Sequence, residues 1–313
     1  HNTSEKYYFK SNESLPKPKI VRKREKGIIY SVSSWGGYFY IHTNKGAEDF
    51  KIERSRDIEA SKWEVFIPAK NETMIGGLTF LKNWIIRSEL NNALDKIFVR
   101  DINSNKEEEL IFTDEEVYDG SISHTQKDRN TDLIYISYST PKTQARTYLY
   151  NLKTKEKKLV KEQVIPTGHD PKNYIVQRIE CNSDDGRKVP LTITRHKDTP
   201  LDGSANLLLY GYGSYGASMS PSFSSTRLSL INRNIIWVTA HIRGGMERGM
   251  KWWKEGKLLN KKNTFNDYIA AAKFLIEKKY TSKGKIIGMG GSAGGLLMGA
   301  VVNKAPDLFL GMI

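Results

Sequence analysis

The sequence predicts two architectures in tandem: a partial β-propeller of about three to four blades over residues 1–168, then an alternating α/β unit over residues 169–313. Three observations carry this. Short apolar–polar alternations fill the first half, a strand pair recurs there at nearly fifty residues, and strands alternate with helices after Asn206.

In the first half, Gly27 to Val32, Gly37 to His42, Trp84 to Ser88, Ile97 to Ile102, Leu133 to Tyr138 and Thr147 to Leu152 each show the period of a half-buried strand. No amphipathic helix of four turns interrupts them. The recurring unit pairs Tyr38–Tyr40 with Phe50–Arg54, Trp84–Ile86 with Ile97–Asp101, and Ile134–Ile136 with Tyr148–Asn151. Its second members fall at Phe50, Phe98 and Tyr148, spacings of 48 and 50 residues. Four-stranded propeller blades recur at about that period, and each buries its faces only against its neighbours. A β-sandwich without a true repeat is the competing reading. About three blades close no ring alone, because propellers have at least four.

Gln163 to Lys172 carries two prolines and a glycine and reads as a linker. Tyr174–Asn182 and Val189–Arg195 form a hairpin across Asp184-Asp185-Gly186. Then come a buried strand (Asn206–Tyr210), a helix (Ser222–Ile231), an apolar strand (Asn234–His241) and the strongest helix of the chain, Thr264–Lys279. That helix places Tyr268, Ala271, Ala272 and Leu275 on one face. Asn263 or Thr264 is its expected cap, and Asp267 is expected to favour its N-terminal dipole. Lys285–Met289 is a strand, Ala293–Asn303 a helix, and Leu308–Ile313 begins another strand. The alternation predicts a parallel sheet covered on both faces.

Composition excludes several classes. With 38% apolar residues and 25 glycines in 313, the chain is neither disordered nor collagen-like. The longest apolar runs, such as Asn234 to Ile242, fall far short of the roughly 20 residues of a spanning helix, so no membrane partner is expected. One cysteine, Cys181, excludes an intramolecular disulfide framework and a Cys-based zinc site, and suits a reducing compartment such as the cytoplasm or a protein indifferent to redox. Lys and Arg number 49 against 35 Asp and Glu, a net charge of +14. The charge is spread out, and its densest cluster, Lys17 to Lys26, lacks the interleaved aromatics that stack on bases. No nucleic-acid partner is expected. The chain starts at His1 without a signal segment, so an internal or truncated piece of a longer product is expected.

Chemistry concentrates in Gly288-Met289-Gly290-Gly291-Ser292-Ala293-Gly294-Gly295, set between a strand and a helix. Gly290-x-Ser292-x-Gly294 matches the nucleophile elbow, and on that reading the second unit is expected to be the N-terminal part of an α/β-hydrolase domain. The turn is so sharp that side chains at the flanking glycines would clash. The serine sits strained at its apex, and the next N–H, that of Ala293, faces a developing oxyanion. Two readings compete. Gly288, Gly290 and Ala293 also fit a dinucleotide fingerprint, with Asp307 as its acid, although Asp307 precedes the following strand instead of ending it. A Gly-rich turn with a spectator serine is the other. Upstream, Tyr210-Gly211-Tyr212-Gly213-Ser214-Tyr215-Gly216 follows a buried strand, where this fold supplies its second oxyanion donor. Simple packing is the alternative for Tyr212 and Tyr215, and Ser214 reads as a turn residue.

At these residues the sequence resembles the prolyl oligopeptidase family of serine peptidases, and within it the oligopeptidase B (protease II) group. The matching blocks are YGYGSYGAS (210–218), RLSL (227–230), HIRGG (241–245), GKLLNKKNTFNDY (256–268) and MGGSAGG (289–295). Weaker similarity runs through DDGRKVPLTITRHK (184–197) and the strand-rich half. The resemblance implies a seven-bladed propeller capping an α/β-hydrolase domain. It also implies a cytosolic enzyme that cuts short peptides after Lys or Arg through an acyl-enzyme, without metal or organic cofactor. Carried over, Ser292 is the nucleophile, the Ala293 N–H and the Tyr212 hydroxyl form the oxyanion hole, and Gly290 and Gly294 are the elbow glycines.

The sequence departs from the family pattern in three ways. This fold orders its triad Ser, acid, His. Only 21 residues follow Ser292, with Asp307 among them and no histidine, while His1, His42, His124, His169, His196 and His241 all precede it. His241 is expected to pack at a strand end and not to serve as the base. The propeller portion is too short for seven blades. Where the group has an Asp-x-Asp pair for basic substrate residues, this chain reads Ser220-Pro221-Ser222. The chain alone is therefore expected to be inactive, and a second polypeptide supplying the missing Asp and His is an expected partner beside the peptide substrate. An acylaminoacyl peptidase, an esterase or a non-catalytic interaction remnant are the alternatives.

Overall fold

The computed structural model describes residues 3–10, 12, 14–123 and 129–313; His1 and His124 lie outside them. A short antiparallel pair, β1 (Lys6–Tyr8) and β2 (Lys19–Arg22), precedes three four-stranded sheets. The first comprises β3 (Tyr30–Trp35), β4 (Tyr38–Thr43), β5 (Lys51–Ser55) and β6 (Glu64–Ile67). The second comprises β7 (Thr73–Leu81), β8 (Trp84–Asn91), β9 (Leu94–Asp101) and β10 (Glu107–Glu109). The third comprises β11 (Asp119–Ser123), β12 (Leu133–Ser139), β13 (Arg146–Asn151) and β14 (Lys157–Glu162). Each is an antiparallel meander in chain order, and the recurring strand pair is the central pair of each blade: β4/β5, β8/β9 and β12/β13.

The middle blade shows why the pattern works. Ile85, with Phe80 of the same blade, packs toward Tyr40 and Ile52 of the first. Its neighbour Ile86 packs toward the third with Ile134, Ile136 and Tyr138. A strand whose alternate faces both find apolar neighbours is buried throughout, as Trp84 to Arg87 are. The hairpin turns need left-handed backbone, supplied by Gly36 and Gly37 in the first blade (φ 58° and 77°) and by Asn92 and Ala93 in the second (φ 50° and 60°).

After the linker, β15 (Tyr174–Asn182) and β16 (Lys188–His196) form the expected hairpin. They continue into one sheet with β17 (Leu207–Tyr210), β18 (Ile236–Ala240), β19 (Ile286–Met289) and β20 (Phe309–Met312), in the order β15-β16-β18-β17-β19-β20. The sheet is mixed rather than wholly parallel. The tight turn at Gly186 (φ 79°) forces β16 antiparallel to β15, and β16 also lies antiparallel to β18. The strands joined through helices are parallel.

Four helices accompany this sheet: α1 (Ser225–Ile231), α2 (Gly249–Lys254), α3 (Lys262–Glu277) and α4 (Ala293–Lys304). Tyr268, Ala271, Ala272 and Leu275 of α3 and Leu297, Met298 and Val301 of α4 bury one sheet face with Leu191, Leu209, Val238 and Ile286. On the other face, Leu228 and Ile231 of α1 pack on Tyr174 and Trp237.

Two local expectations about α3 fail. Its cap is Lys261, and Asn263 and Thr264 already lie in the helix. Their side chains donate outward, Asn263 to Glu255 O and Thr264 to Arg243 O and Gly256 O. Asp267 is fully buried and pairs with Arg243 instead of facing the helix terminus.

The propeller and the hydrolase sheet meet through polar contacts. Asp49 accepts from the Met250 N–H at 2.6 Å. A Cβ on Gly249 would stand 2.4 Å from Asp49 Oδ1, which explains a glycine there. Arg178 donates to Asn92 O, Arg248 to Asn92 Oδ1 at 3.1 Å, and Lys254 pairs with Glu48 at 2.6 Å. Among the described residues no helix is long and apolar enough to cross a membrane.

Candidate active site

Strand β19 ends at Met289, and α4 begins four residues later with Ser292 as its cap residue. Ser292 holds φ 55° and ψ −119°, a region that costs a non-glycine residue about 1–3 kcal/mol. Its hydroxyl makes no capping bond and is exposed. The Ala293 N–H is among the first four of α4, which have no acceptor within the helix.

The flanking glycines are sterically required. A Cβ on Gly290 would lie 2.7 Å from Gly294 O and 3.1 Å from Gly211 O, and one on Gly294 would lie 3.2 Å from Gly211 O. Gly211 is itself pressed against Tyr268 and Leu297. By contrast, Gly291 has nothing within 4 Å of its Cβ position. Gly290→Ala is therefore expected to cost about 1–3 kcal/mol through overpacking and to lose reactivity at Ser292. Gly291→Ala should leave both nearly unchanged. Thermal melts and labelling rates of the two variants measure this contrast.

Tyr212 follows Gly211 at the end of β17. Its ring lies beside the elbow, with Cδ2 3.7 Å from the Cβ position of Gly294. The structure thus brings Ser292, Ala293, Tyr212, Gly290 and Gly294 together. The loop after Tyr212 packs on residues 242–246. Gly213 (φ 64°) has no room for a Cβ, which would stand 2.4 Å from Thr264 Cγ2 and 2.9 Å from Arg243 O. Gly244 (φ 106°) lies so close that its Cβ would meet Gly213 O at 1.9 Å. Ser214 accepts from Lys261 Nζ at 2.9 Å. Tyr215 is exposed (81%) and lines a cavity of about 970 Å³ between the first two blades and the hydrolase sheet, with His42, Ile75, Leu90, Met246 and Trp253.

The described histidines are committed elsewhere. His42 Nε2 bonds Ile75 O at 2.7 Å, His169 Nε2 bonds Lys142 O at 2.6 Å, and His196 Nδ1 accepts from the Asp198 N–H at 3.3 Å. His241 is fully buried, with Nε2 2.9 Å from Thr192 Oγ1. Asp307 pairs with Lys283 at 3.2 Å on the surface, ahead of β20, which removes the dinucleotide reading. The Ser220-Pro221-Ser222 stretch lies in a loop whose preceding amide, Met219 N–H, donates to Glu247 Oε1 at 3.1 Å.

Buried charges behind this loop escaped the sequence reading, although the HIRGG and GKLLNKKNTFNDY blocks contain most of them. Arg243 donates to both oxygens of Asp267, at 2.8 and 2.6 Å, and to Asp185 at 2.5 Å. Glu247 is 1% exposed; its Oε2 and His241 Nδ1 have no hydrogen-bond partner among the described residues, and Glu247 Oε1 stands 3.9 Å from His241 Nδ1. Burial, together with nearby Arg178, keeps His241 well below the usual imidazole value, hence neutral.

Burial also pushes the Glu247 carboxyl up to about 7. A carboxyl raised on folding takes up a proton, so its ionisation weakens the fold as pH rises from about 4.5 to about 7. Glu247→Gln keeps an acceptor for Met219 and removes that titration. Its melting temperature is expected to gain on the parent's as pH rises across this window. Parallel melting profiles would contradict this.

The comparisons with known proteins agree in outline. The N-terminal β-propeller domain of prolyl oligopeptidase matches residues 1–163, and the prolyl oligopeptidase family matches residues 221–313. Dipeptidyl aminopeptidase BI of Pseudoxanthomonas mexicana is 37% identical over 294 residues, 93% of this chain and 40% of that protein. Protease 2 of Moraxella lacunata is 36% identical over 309 residues, 98% of this chain and 44% of that protein. Oligopeptidase B from Trypanosoma brucei, solved in a closed form with covalently bound antipain, superposes with a TM-score of 0.91 at 31% identity, covering 99% of this chain and 46% of that one. Oligopeptidase B from Leishmania major gives 0.87 at 31% identity, covering 98% and 45%. The chain spans less than half the length of these relatives.

Proposed function

The chain belongs to the prolyl oligopeptidase family of serine peptidases, and on that premise we propose that it carries the nucleophile and oxyanion hole of an oligopeptidase B-like enzyme that cuts short peptides after Lys or Arg. The convergence of Ser292 at a strained, glycine-flanked elbow with Tyr212 beside it carries this reading. Ser292 Oγ attacks the scissile carbonyl while a base takes its proton. The carbonyl oxygen becomes the oxyanion, held by the Ala293 N–H and the Tyr212 hydroxyl. Collapse expels the amine, which receives that proton, and water then hydrolyses the acyl-serine.

The base and its orienting acid come from outside the described site, since each described histidine is engaged elsewhere. Residues 1–313 alone are therefore expected to turn over no peptide, and a longer chain or a second polypeptide supplies the Asp and His. Ser220-Pro221-Ser222 offers no carboxylate, and Glu247 behind it is buried, so selection of a second basic substrate residue is weak. The buried Cys181 thiol, pushed by burial up to about 12, is inert and fits a cytoplasmic enzyme.

The 37% identity to a dipeptidyl aminopeptidase favours one second reading, release of dipeptides from free N-termini. The test is a peptide panel assayed with the natural enzyme that carries this sequence. It compares Arg, Lys and Pro before the scissile bond, each with a free and an acetylated N-terminus. Cleavage after Arg and Lys in both forms is expected. Cleavage only two residues from a free N-terminus supports the second reading, and preference for Pro contradicts both.

A further inference from the structure

We propose that Lys261 is a positioning residue of the oxyanion hole, its ammonium clamping the turn after Tyr212 so that the phenol points at the developing oxyanion. This rests on the assignment of Tyr212 given above. Lys261 occupies the cap position of α3, where Ser, Thr, Asp and Asn are favoured and a cation opposes the helix dipole. Its side chain makes no capping bond, its N–H closes the preceding turn on Leu258 O at 3.1 Å, and no carboxylate pairs with it among the described residues. Burial of the amine also disfavours its charged form. A residue that suits its helix so poorly is held by what its ammonium touches: Gly213 O at 2.5 Å and Ser214 Oγ at 2.9 Å.

Those two groups are the first hydrogen-bond acceptors in the chain after residue Tyr212. The backbone there is left-handed at Gly213, Tyr215 and Gly216 (φ 64°, 56° and 70°). Thr264 and Gly244 also pack closely on Gly213, so the ammonium adds a polar hold to a peptide already confined by its neighbours. Tyr212 projects from the peptide next to that grip. A displacement of about 1 Å in a positioned group costs on the order of 10²-fold in rate, so losing the clamp acts on the chemical step rather than on binding.

The test uses the natural enzyme and its kinetics on a peptide substrate for six forms: parent, Lys261→Met, Lys261→Arg, Tyr212→Phe, Tyr212→Phe with Lys261→Met, and Ser214→Ala. Lys261→Met is expected to lower kcat by about 10–100-fold with KM within about threefold, and Lys261→Arg to recover most of the loss. The double variant should be no slower than Tyr212→Phe alone, because a clamp that acts through the hydroxyl has nothing left to position. Ser214→Ala, which deletes one partner of the ammonium without touching α3, should lower kcat in the same direction even where Lys261→Met folds poorly. Unchanged kcat in Lys261→Met, an effect on KM alone, or losses that multiply in the double variant would overturn the proposal. An inert Tyr212→Phe would overturn the oxyanion assignment as well, and that single variant separates the two failures.

Discussion

Ser292→Ala is expected to abolish fluorophosphonate labelling and to lower peptide turnover by roughly 10⁴–10⁶-fold. The hydroxyl is the only atom removed. The elbow geometry depends on Gly290, Gly294 and Gly211 and not on Oγ, so the fold should be retained. Stability discriminates further. Ser292 holds φ 55° and ψ −119°, which alanine shares as a strained residue and glycine does not. Ser292→Gly should therefore be more stable than Ser292→Ala by about 1 kcal/mol, a rise of a few degrees at most in a chain of this size. Equal melting of the two variants would mean that no strain is stored at the apex.

Arg243→Met should be the most damaging single change to the fold, costing about 3–5 kcal/mol. Arg243 is 2% exposed and Asp267 is fully buried. The guanidinium binds both Asp267 oxygens and Asp185, and Ser183 Oγ donates to Asp267 Oδ1 at 2.6 Å. Removing the cation leaves a buried carboxylate uncompensated. Arg243→Met combined with Asp267→Asn should therefore cost less than the two changes summed.

The network also predicts a response to acid. Partial burial raises the Asp185 carboxyl, but hydrogen bonds and charge from Arg243 outweigh this and hold it below its ordinary 3.8. Its contribution is complete above about pH 4 and is lost as pH falls through the depressed value. The parent should lose stability there more steeply than Arg243→Met. Because Arg243 O packs on Gly213 and accepts from Thr264, the variant should label more slowly at Ser292 as well.

What the sequence revealed follows periodicity and local sterics. The blades were legible because their central strands are short, rich in aromatic and β-branched residues, and recur at Phe50, Phe98 and Tyr148. The elbow was legible because Gly290-x-Ser292-x-Gly294 is a contiguous pattern, with Gly290 pressed on Gly294 O four residues on, although Gly211 O, which crowds both glycines, is remote in the chain. The outer strands β10 and β14 were not. Every residue of β14 is exposed, and β10 is three glutamates, so neither shows alternation. Helix α2 spans only six residues, starts on a left-handed Gly249 and is anchored by Asp49 of the first blade, a partner 201 residues from Met250. The cap of α3 was misread because Asn263 and Thr264 have the right chemistry for a cap but spend it on carbonyls of the preceding loop. Arg243 with Asp267 and Lys261 with Gly213 are pairs 24 and 48 residues apart, brought together only by the folded sheet.

The central claim is that Ser292 is an activated nucleophile. The most direct measurement is the attachment site of a fluorophosphonate on the natural enzyme, read by mass spectrometry of the tryptic peptide spanning residues 286–304. One adduct is expected, on Ser292, blocked by prior incubation with an Arg-containing peptide substrate. An unmodified 286–304 peptide, under conditions that label a control serine hydrolase to completion, would contradict it.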